Sequence, residues 1–124
     1  MISGIYNLYC EQGTTFSRLI EIEYPDPVDP TIFFPFDLTG FSASLQVRRT
    51  VESSTSLISL NSTNGGGIEI QPNDVENALR IYMTATQTSS ITSDGVYDLE
   101  IQDPNGSVSR VLRGTFTLSP QVTR

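Results

Sequence analysis

The stretch Gly95-Val96-Tyr97-Asp98-Leu99-Glu100-Ile101-Gln102-Asp103-Pro104-Asn105-Gly106 decides the fold. Tyr97, Leu99 and Ile101 alternate with Asp98, Glu100 and Gln102, the period of two expected of a strand with one face in a core. Asp94-Gly95 marks a turn before it. Asp103-Pro104-Asn105-Gly106 then reverses the chain, because proline holds φ at about -65° and glycine accepts a positive φ. Val108, Leu112, Phe116 and Leu118 return as the partner strand. Two alternating runs flanking such a loop predict an antiparallel hairpin.

Working outward, the same period recurs upstream. Phe41, Ala43, Leu45, Val47, Arg49 and Val51 oppose Ser42, Ser44, Gln46, Arg48 and Thr50, which predicts one strand over 41–51. Phe16, Arg18, Ile20, Ile22 and Tyr24 oppose Ser17, Glu21 and Glu23, with Leu19 alone out of step. Shorter strands are predicted around Leu8 to Cys10, Leu57 to Leu60, Ile68 to Ile70 and Leu79 to Met83. Polar or glycine-rich breaks separate them at Glu52 to Thr55, Asn61 to Gly67 and Gln71 to Asn77. One short helical turn is predicted near Thr84 to Ile91, where Thr84 caps the start and Gln87 completes a capping box. Together these elements predict an immunoglobulin-like antiparallel β-sandwich of seven to nine strands, as a single domain over residues 1–124.

Pro25 to Pro35 breaks the pattern. It holds four of the seven prolines and two Asp, so it lacks backbone donors and cannot continue a central strand. An exposed connection is expected. Within and beside it Ile32, Phe33, Phe34 and Phe36 concentrate apolar surface, which must either fold back over the sandwich or face a partner. The functional expectation is a docking element anchored by these four side chains.

Charge narrows the function classes. Fourteen carboxylates against seven Arg and no Lys leave a formal charge of -7, which opposes binding to nucleic acid or anionic lipid. No apolar run approaches the roughly 20 residues of a membrane span, and Met1 to Cys10 lacks the pattern of a signal peptide. A soluble protein made in a cytoplasm is expected, with neither nucleic acid nor membrane as partner. The lone Cys10 follows Leu8 and Tyr9 in a predicted strand, where a buried thiol is the ordinary reading.

Catalytic groups are scarce. With no His and no Lys, the usual general bases and Schiff-base formers are missing, and only carboxylate or metal chemistry remains. Glu21 with Glu23, and Asp98 with Glu100, each share a strand face, and both pairs read as solvated outer faces. Asp103 to Gly106 lacks the downstream Glu of a calcium loop. Asn61-Ser62-Thr63 and Asn105-Gly106-Ser107 match the glycosylation acceptor pattern without a secretory signal to give it meaning. Gly65-Gly66-Gly67 lacks the helix start or Lys-Ser/Thr pair of a phosphate cradle. No catalytic residue, cofactor or metal site is therefore expected, and the chain is not expected to be an enzyme. Arg48, Arg49, Arg110 and Arg113 stand out instead. Arg49 and Arg110 share the parity of core residues, so each is predicted near a sheet edge with a carboxylate partner, or in an interface.

The order and spacing of the motifs resemble a family of small tailed-bacteriophage virion proteins, related to the N-terminal domain of the upper baseplate protein of lactococcal phages and called BppU-like. The residues that carry the resemblance are Gly13-Thr14 with Phe16, Asp37-Leu38-Thr39-Gly40-Phe41 leading into Leu45-Gln46-Val47-Arg48, and Ile81 with the Thr84 to Ile91 turn. Gly95 to Ile101, Asp103 to Gly106 and Arg110-Val111-Leu112-Arg113-Gly114-Thr115-Phe116 complete it, over nearly the whole chain. The resemblance implies an Ig-like structural protein of the virion, in the tail or baseplate, that anchors or bridges other virion proteins such as fibres. It further implies synthesis in a bacterial host cytoplasm and many copies in a symmetric assembly. The insertion from Tyr24 to Pro35 is longer and more apolar than the family's usual connection. Alternatives are a head-decoration protein and a free carbohydrate- or peptide-binding module, with a carboxylate hydrolase behind them.

Overall fold

The computed structural model describes residues 4–123. In chain order its strands are β1 (Gly4–Ile5), β2 (Leu8–Glu11), β3 (Phe16–Glu21), β4 (Glu23–Pro25), β5 (Phe33–Pro35), β6 (Ser42–Arg48), β7 (Ile58–Asn61), β8 (Ile68–Ile70), β9 (Ala78–Met83), β10 (Gly95–Gln102) and β11 (Val108–Ser119), with a 3-10 turn (Pro72–Asp74) between β8 and β9 and an α-helix, α1 (Ala85–Ser89), between β9 and β10. One sheet runs β1-β11-β10-β6-β7, with β2 also on β11; a second runs β3-β9-β8; β4 and β5 pair only with each other. The order β3-β9-β8 against β11-β10-β6-β7 is the B-E-D against G-F-C-C′ arrangement of an immunoglobulin sandwich. The all-β sandwich predicted from the alternation is therefore the observed fold.

Alternation places the core as expected. Ala43, Leu45 and Val47 of β6 and Tyr97, Leu99 and Ile101 of β10 are buried, facing Phe16, Leu79, Ile81 and Met83 from the second sheet in one contiguous cluster. Burying each such Leu or Ile contributes about 1.5–3 kcal/mol. Thr84 and Gln87 form the predicted capping box, with Gln87 N–H donating to Thr84 Oγ1 at 3.2 Å and Thr84 N–H donating to Gln87 Oε1 at 2.8 Å. From α1, the buried Thr88 accepts from Gly13 N–H at 3.0 Å and donates to Thr14 O at 2.7 Å, so the helix pins the β2–β3 turn.

Four details differ from the sequence reading. Eleven strands replace seven to nine, because the proline-rich insertion itself forms a hairpin and the first residues form two short strands. The sheets are also not wholly antiparallel: β1 and β2 both lie parallel to β11, at Gly4↔Leu112 and Leu8↔Phe116. Gly114 allows this approach, since a Cβ there would lie 2.4 Å from Tyr6 O. Tyr97 Oη donates to that same carbonyl, and Thr115 N–H donates to Asn7 Oδ1 at 3.1 Å.

The strand predicted over 41–51 begins at Ser42 and stops at Arg48. Its partner β10 starts at Gly95, and beyond Arg48 a local turn takes over: Ser53 N–H donates to Thr50 O at 3.2 Å and Thr50 N–H to Ser53 Oγ at 3.1 Å. Short hydroxyl side chains offer the backbone such alternatives to a ladder. Arg49 thus lies outside the strand, and Val51 is 80% exposed. Lastly, β11 carries a bulge. Leu99 pairs with Leu112 but Glu100 with Arg110, so Val111 is the extra residue. The bulge turns Val111 into the core and Arg110 onto the outer face, which overturns the parity argument made for Arg110.

Candidate docking surface

The β4–β5 hairpin leaves the sandwich between β3 and β6. At its base Ile22 N–H donates to Asn77 O at 2.9 Å, Asn77 Nδ2 donates back to Ile22 O at 3.0 Å, and Phe36 N–H donates to Ile22 O at 2.9 Å. Leu38, fully buried, donates its N–H to Glu76 O at 2.9 Å. The same end carries the 71–77 turn and the 103–106 reversal, and a Cβ on Gly40 would sit 3.0 Å from Pro104 Cγ. Gln71 Nε2 joins the 71–77 turn to the 37–40 turn, donating to Thr39 Oγ1 at 2.9 Å, Asp37 Oδ1 at 3.2 Å and Glu76 O at 3.1 Å.

The hairpin's tip is held by its own polar groups. Asp26 N–H donates to Ile32 O at 2.8 Å, and Asp26 Oδ1 accepts from Val28 N–H at 2.8 Å. Ile32 N–H donates to Asp29 O at 3.0 Å, and Asp29 Oδ1 accepts from Thr31 Oγ1 at 2.6 Å and Thr31 N–H at 3.1 Å. Those two bonds, the hydroxyl first, hold the Asp29 carboxyl below its ordinary pKa. Thr39 does the same for Asp37, its hydroxyl again foremost. Pro27 and Pro30 fix two further φ angles. The loop is ordered by local bonds that need no partner.

Register then sorts the apolar side chains. Tyr24 pairs with Phe34 and Pro25 with Phe33, so alternation puts Tyr24 and Phe34 on one face and Phe33 with Pro25 on the other. Phe36 is partly buried against the core, edge-on to Phe41 at 5.5 Å and to Tyr24 at 6.2 Å between centroids, and Tyr24 meets Phe34 at 5.8 Å. Aromatic contacts thus lead from the core to an exposed tip. Ile32, Phe33 and Phe34 remain 46%, 56% and 40% exposed. Pro25 and Pro35 remove donors from both strands of the ribbon, which blunts strand addition and leaves side-chain packing as its means of contact.

The six predicted interface residues therefore occupy three places. Ile32, Phe33 and Phe34 share the exposed hairpin, while Phe36 anchors it to the core. Arg49 lies at the opposite end, donating to Thr92 Oγ1 at 3.4 Å. Arg110 lies on the outer face of β11, with Asp98 Oδ2 at 3.9 Å as its carboxylate partner. Sequence reading assigned Tyr24 to a core face and missed it as a member of the hairpin's aromatic set; its pairing with Phe34 across the insertion is a tertiary fact. It also missed that Arg48, Arg110 and Arg113 line one concavity of about 480 Å³ over β6, β10 and β11.

Elsewhere, Cys10 is buried in β2, and burial pushes its thiol pKa up. Among the described residues no group of three His, Cys, Asp or Glu is placed to hold a metal, and no helix is long and apolar enough to cross a membrane. No protein-family model matches the chain, and no curated protein sequence matches it.

Proposed function

We propose that the chain is a non-catalytic structural module of a tailed-bacteriophage virion, a tail or baseplate component that anchors other virion proteins through its β4–β5 hairpin. The observation that carries the docking role is the hairpin itself: a proline-stiffened, self-bonded ribbon that leaves Phe33 and Phe34 56% and 40% exposed. Ordering it before contact reduces the entropy lost on binding, and large aromatic side chains in such a position act as anchors. The virion assignment rests on the resemblance of the motifs described above, and the absence of His and Lys agrees with a role without chemistry. The test is the Phe33→Ser/Phe34→Ser double variant. A domain that still melts cooperatively, within a few degrees of wild type, but is lost from assembled particles supports docking; incorporation at the wild-type level overturns it.

A second reading, a free saccharide-binding module, is favoured by one feature. A cleft of about 580 Å³ beside β8 is lined by the exposed Tyr82 and by Arg80, which pairs with Glu69 at 3.3 Å. A flat ring beside paired polar groups suits a sugar's apolar and hydroxylated faces. Chemical-shift changes at Tyr82 during a saccharide titration would support that reading over the first.

A further inference from the structure

We propose that the hairpin of one copy docks into the arginine-lined concavity of a second copy, joining copies head to tail. This rests on the docking reading and names its partner.

The concavity is chemically unlike the rest of the molecule. Three of the chain's seven arginines, Arg48, Arg110 and Arg113, line it against only Asp98 and Glu100, in a protein of formal charge -7. Ile5 and Val51, 71% and 80% exposed, and Val96 add apolar surface. The site therefore offers excess cation and grease together. Arg48 spends its donors on Ser53 O at 2.9 Å and Gln46 Oε1 at 2.7 Å, neither of which carries a charge.

The hairpin presents the complement. Glu23, Asp26 and Asp29 lie on the hairpin with its exposed phenylalanines, Asp37 follows at its base, and no arginine occurs in the chain between Arg18 and Arg48. Hydrogen bonds from Thr31 and Thr39 favour the ionised form of two of these carboxylates. A contact between two hairpins would set like charges against each other, so a symmetric hairpin pair is disfavoured. At physiological ionic strength the screening length is about 8 Å, which weakens repulsion between whole molecules far more than contacts between paired groups.

Placement fixes the kind of assembly. The concavity lies along the sheet of β6, β10 and β11 from Val96 and Arg48 to Glu100 and Arg110, whereas the hairpin leaves from the sheet end where Gln102 pairs with Ser42. One copy can thus receive a neighbour on this face while offering its hairpin, a different surface, to another. Such a heterologous contact propagates into a ring or a filament.

Sedimentation of purified protein at physiological ionic strength tests this, with two variants, Phe33→Ser/Phe34→Ser and Arg110→Glu/Arg113→Glu. Arg113→Glu alone serves if the latter fails to fold. The wild type should grow in mass with concentration, and each variant alone should self-associate at least tenfold more weakly. Mixing the two should restore a discrete species of two chains, because the intact hairpin of one meets the intact concavity of the other. A wild type that stays monomeric at every concentration, or a mixture that fails to pair, overturns the self-contact. Neither result bears on docking to another virion protein, which the particle-incorporation assay decides separately.

Discussion

Phe36 packs edge-on against Phe41 with ring centroids 5.5 Å apart, and this contact divides the proline-rich insertion into a half that belongs to the core and a half that does not. The two halves answer differently to truncation. Phe36→Ala removes a partly buried ring that closes one end of the sandwich, and should cost about 2–4 kcal/mol in a denaturant melt. Phe33→Ser removes a ring that is 56% exposed and should change stability by no more than about 0.5 kcal/mol, whereas Phe34→Ser also gives up the contact with Tyr24 and should cost about 1 kcal/mol. Equal losses for all three would mean that the whole hairpin is core.

Much of the fold was legible in the sequence because one sheet face is buried, and a period of two then records which residues face inward. Ala43, Leu45 and Val47 were placed correctly by that signal alone, as were the Thr84 cap and the Asp103 to Gly106 reversal, whose chemistry is local. Features fixed by neighbours distant in sequence were not. The bulge at Val111 is a mismatch between two strands; its trace in the sequence is an arginine on core parity beside a valine on polar parity, which points to a carboxylate partner for Arg110, found in Asp98, but the outer face of Arg110 follows only from the register with β10. The parallel seating of β1 and β2 on β11 depends on Gly114, whose need for a missing side chain appears only once Tyr6 lies above it. The aromatic cluster was visible as composition, yet its division between Phe36 and the exposed tip required the hairpin register.

Arg49 and Arg110 should matter little to the isolated domain. Arg110 meets Asp98 at 3.9 Å with both side chains substantially exposed, and Arg49 reaches only a hydroxyl at 3.4 Å. Exposed ion pairs are commonly worth about 0–1 kcal/mol. Arg49→Ala and Arg110→Ala should each keep thermal unfolding within a few degrees of wild type. A large drop for Arg110→Ala would show that Arg110 supports the fold by more than its exposed pair with Asp98.

Thr88 should matter more than its size suggests. Its hydroxyl is fully buried and serves Gly13 N–H and Thr14 O together, which ties α1 to the β2–β3 turn. Thr88→Val keeps the shape but leaves both backbone groups without that partner, at a cost of about 1–3 kcal/mol. Thr88→Ser retains the hydroxyl and should recover most of the loss. Amide exchange should report the change first at Gly13, whose N–H loses its acceptor.

Tyr97 gives the protein an alkaline limit. Its ring is buried in β10, its hydroxyl donates to Tyr6 O, and burial raises its pKa from the ordinary 10.0 to about 12. Ionisation would remove the donor and place a phenolate beside a carbonyl oxygen. The unfolded chain ionises near its ordinary value while the folded chain resists, so the stability that this tyrosine contributes is complete below about pH 10 and falls as pH rises toward 12. The whole loss is at most about 2.7 kcal/mol for a shift of this size. Tyr97→Phe should lower stability at neutral pH by about 1 kcal/mol, since the Tyr6 carbonyl loses its donor. Between pH 10 and 12 the variant should decline less steeply than wild type, and the two denaturation curves should converge and then cross, because the loss of up to about 2.7 kcal/mol exceeds the advantage of about 1 kcal/mol. Parallel declines across that window would show that Tyr97 ionises as freely in the fold as out of it, and that its hydroxyl does not hold β1 and β2 against the sheet.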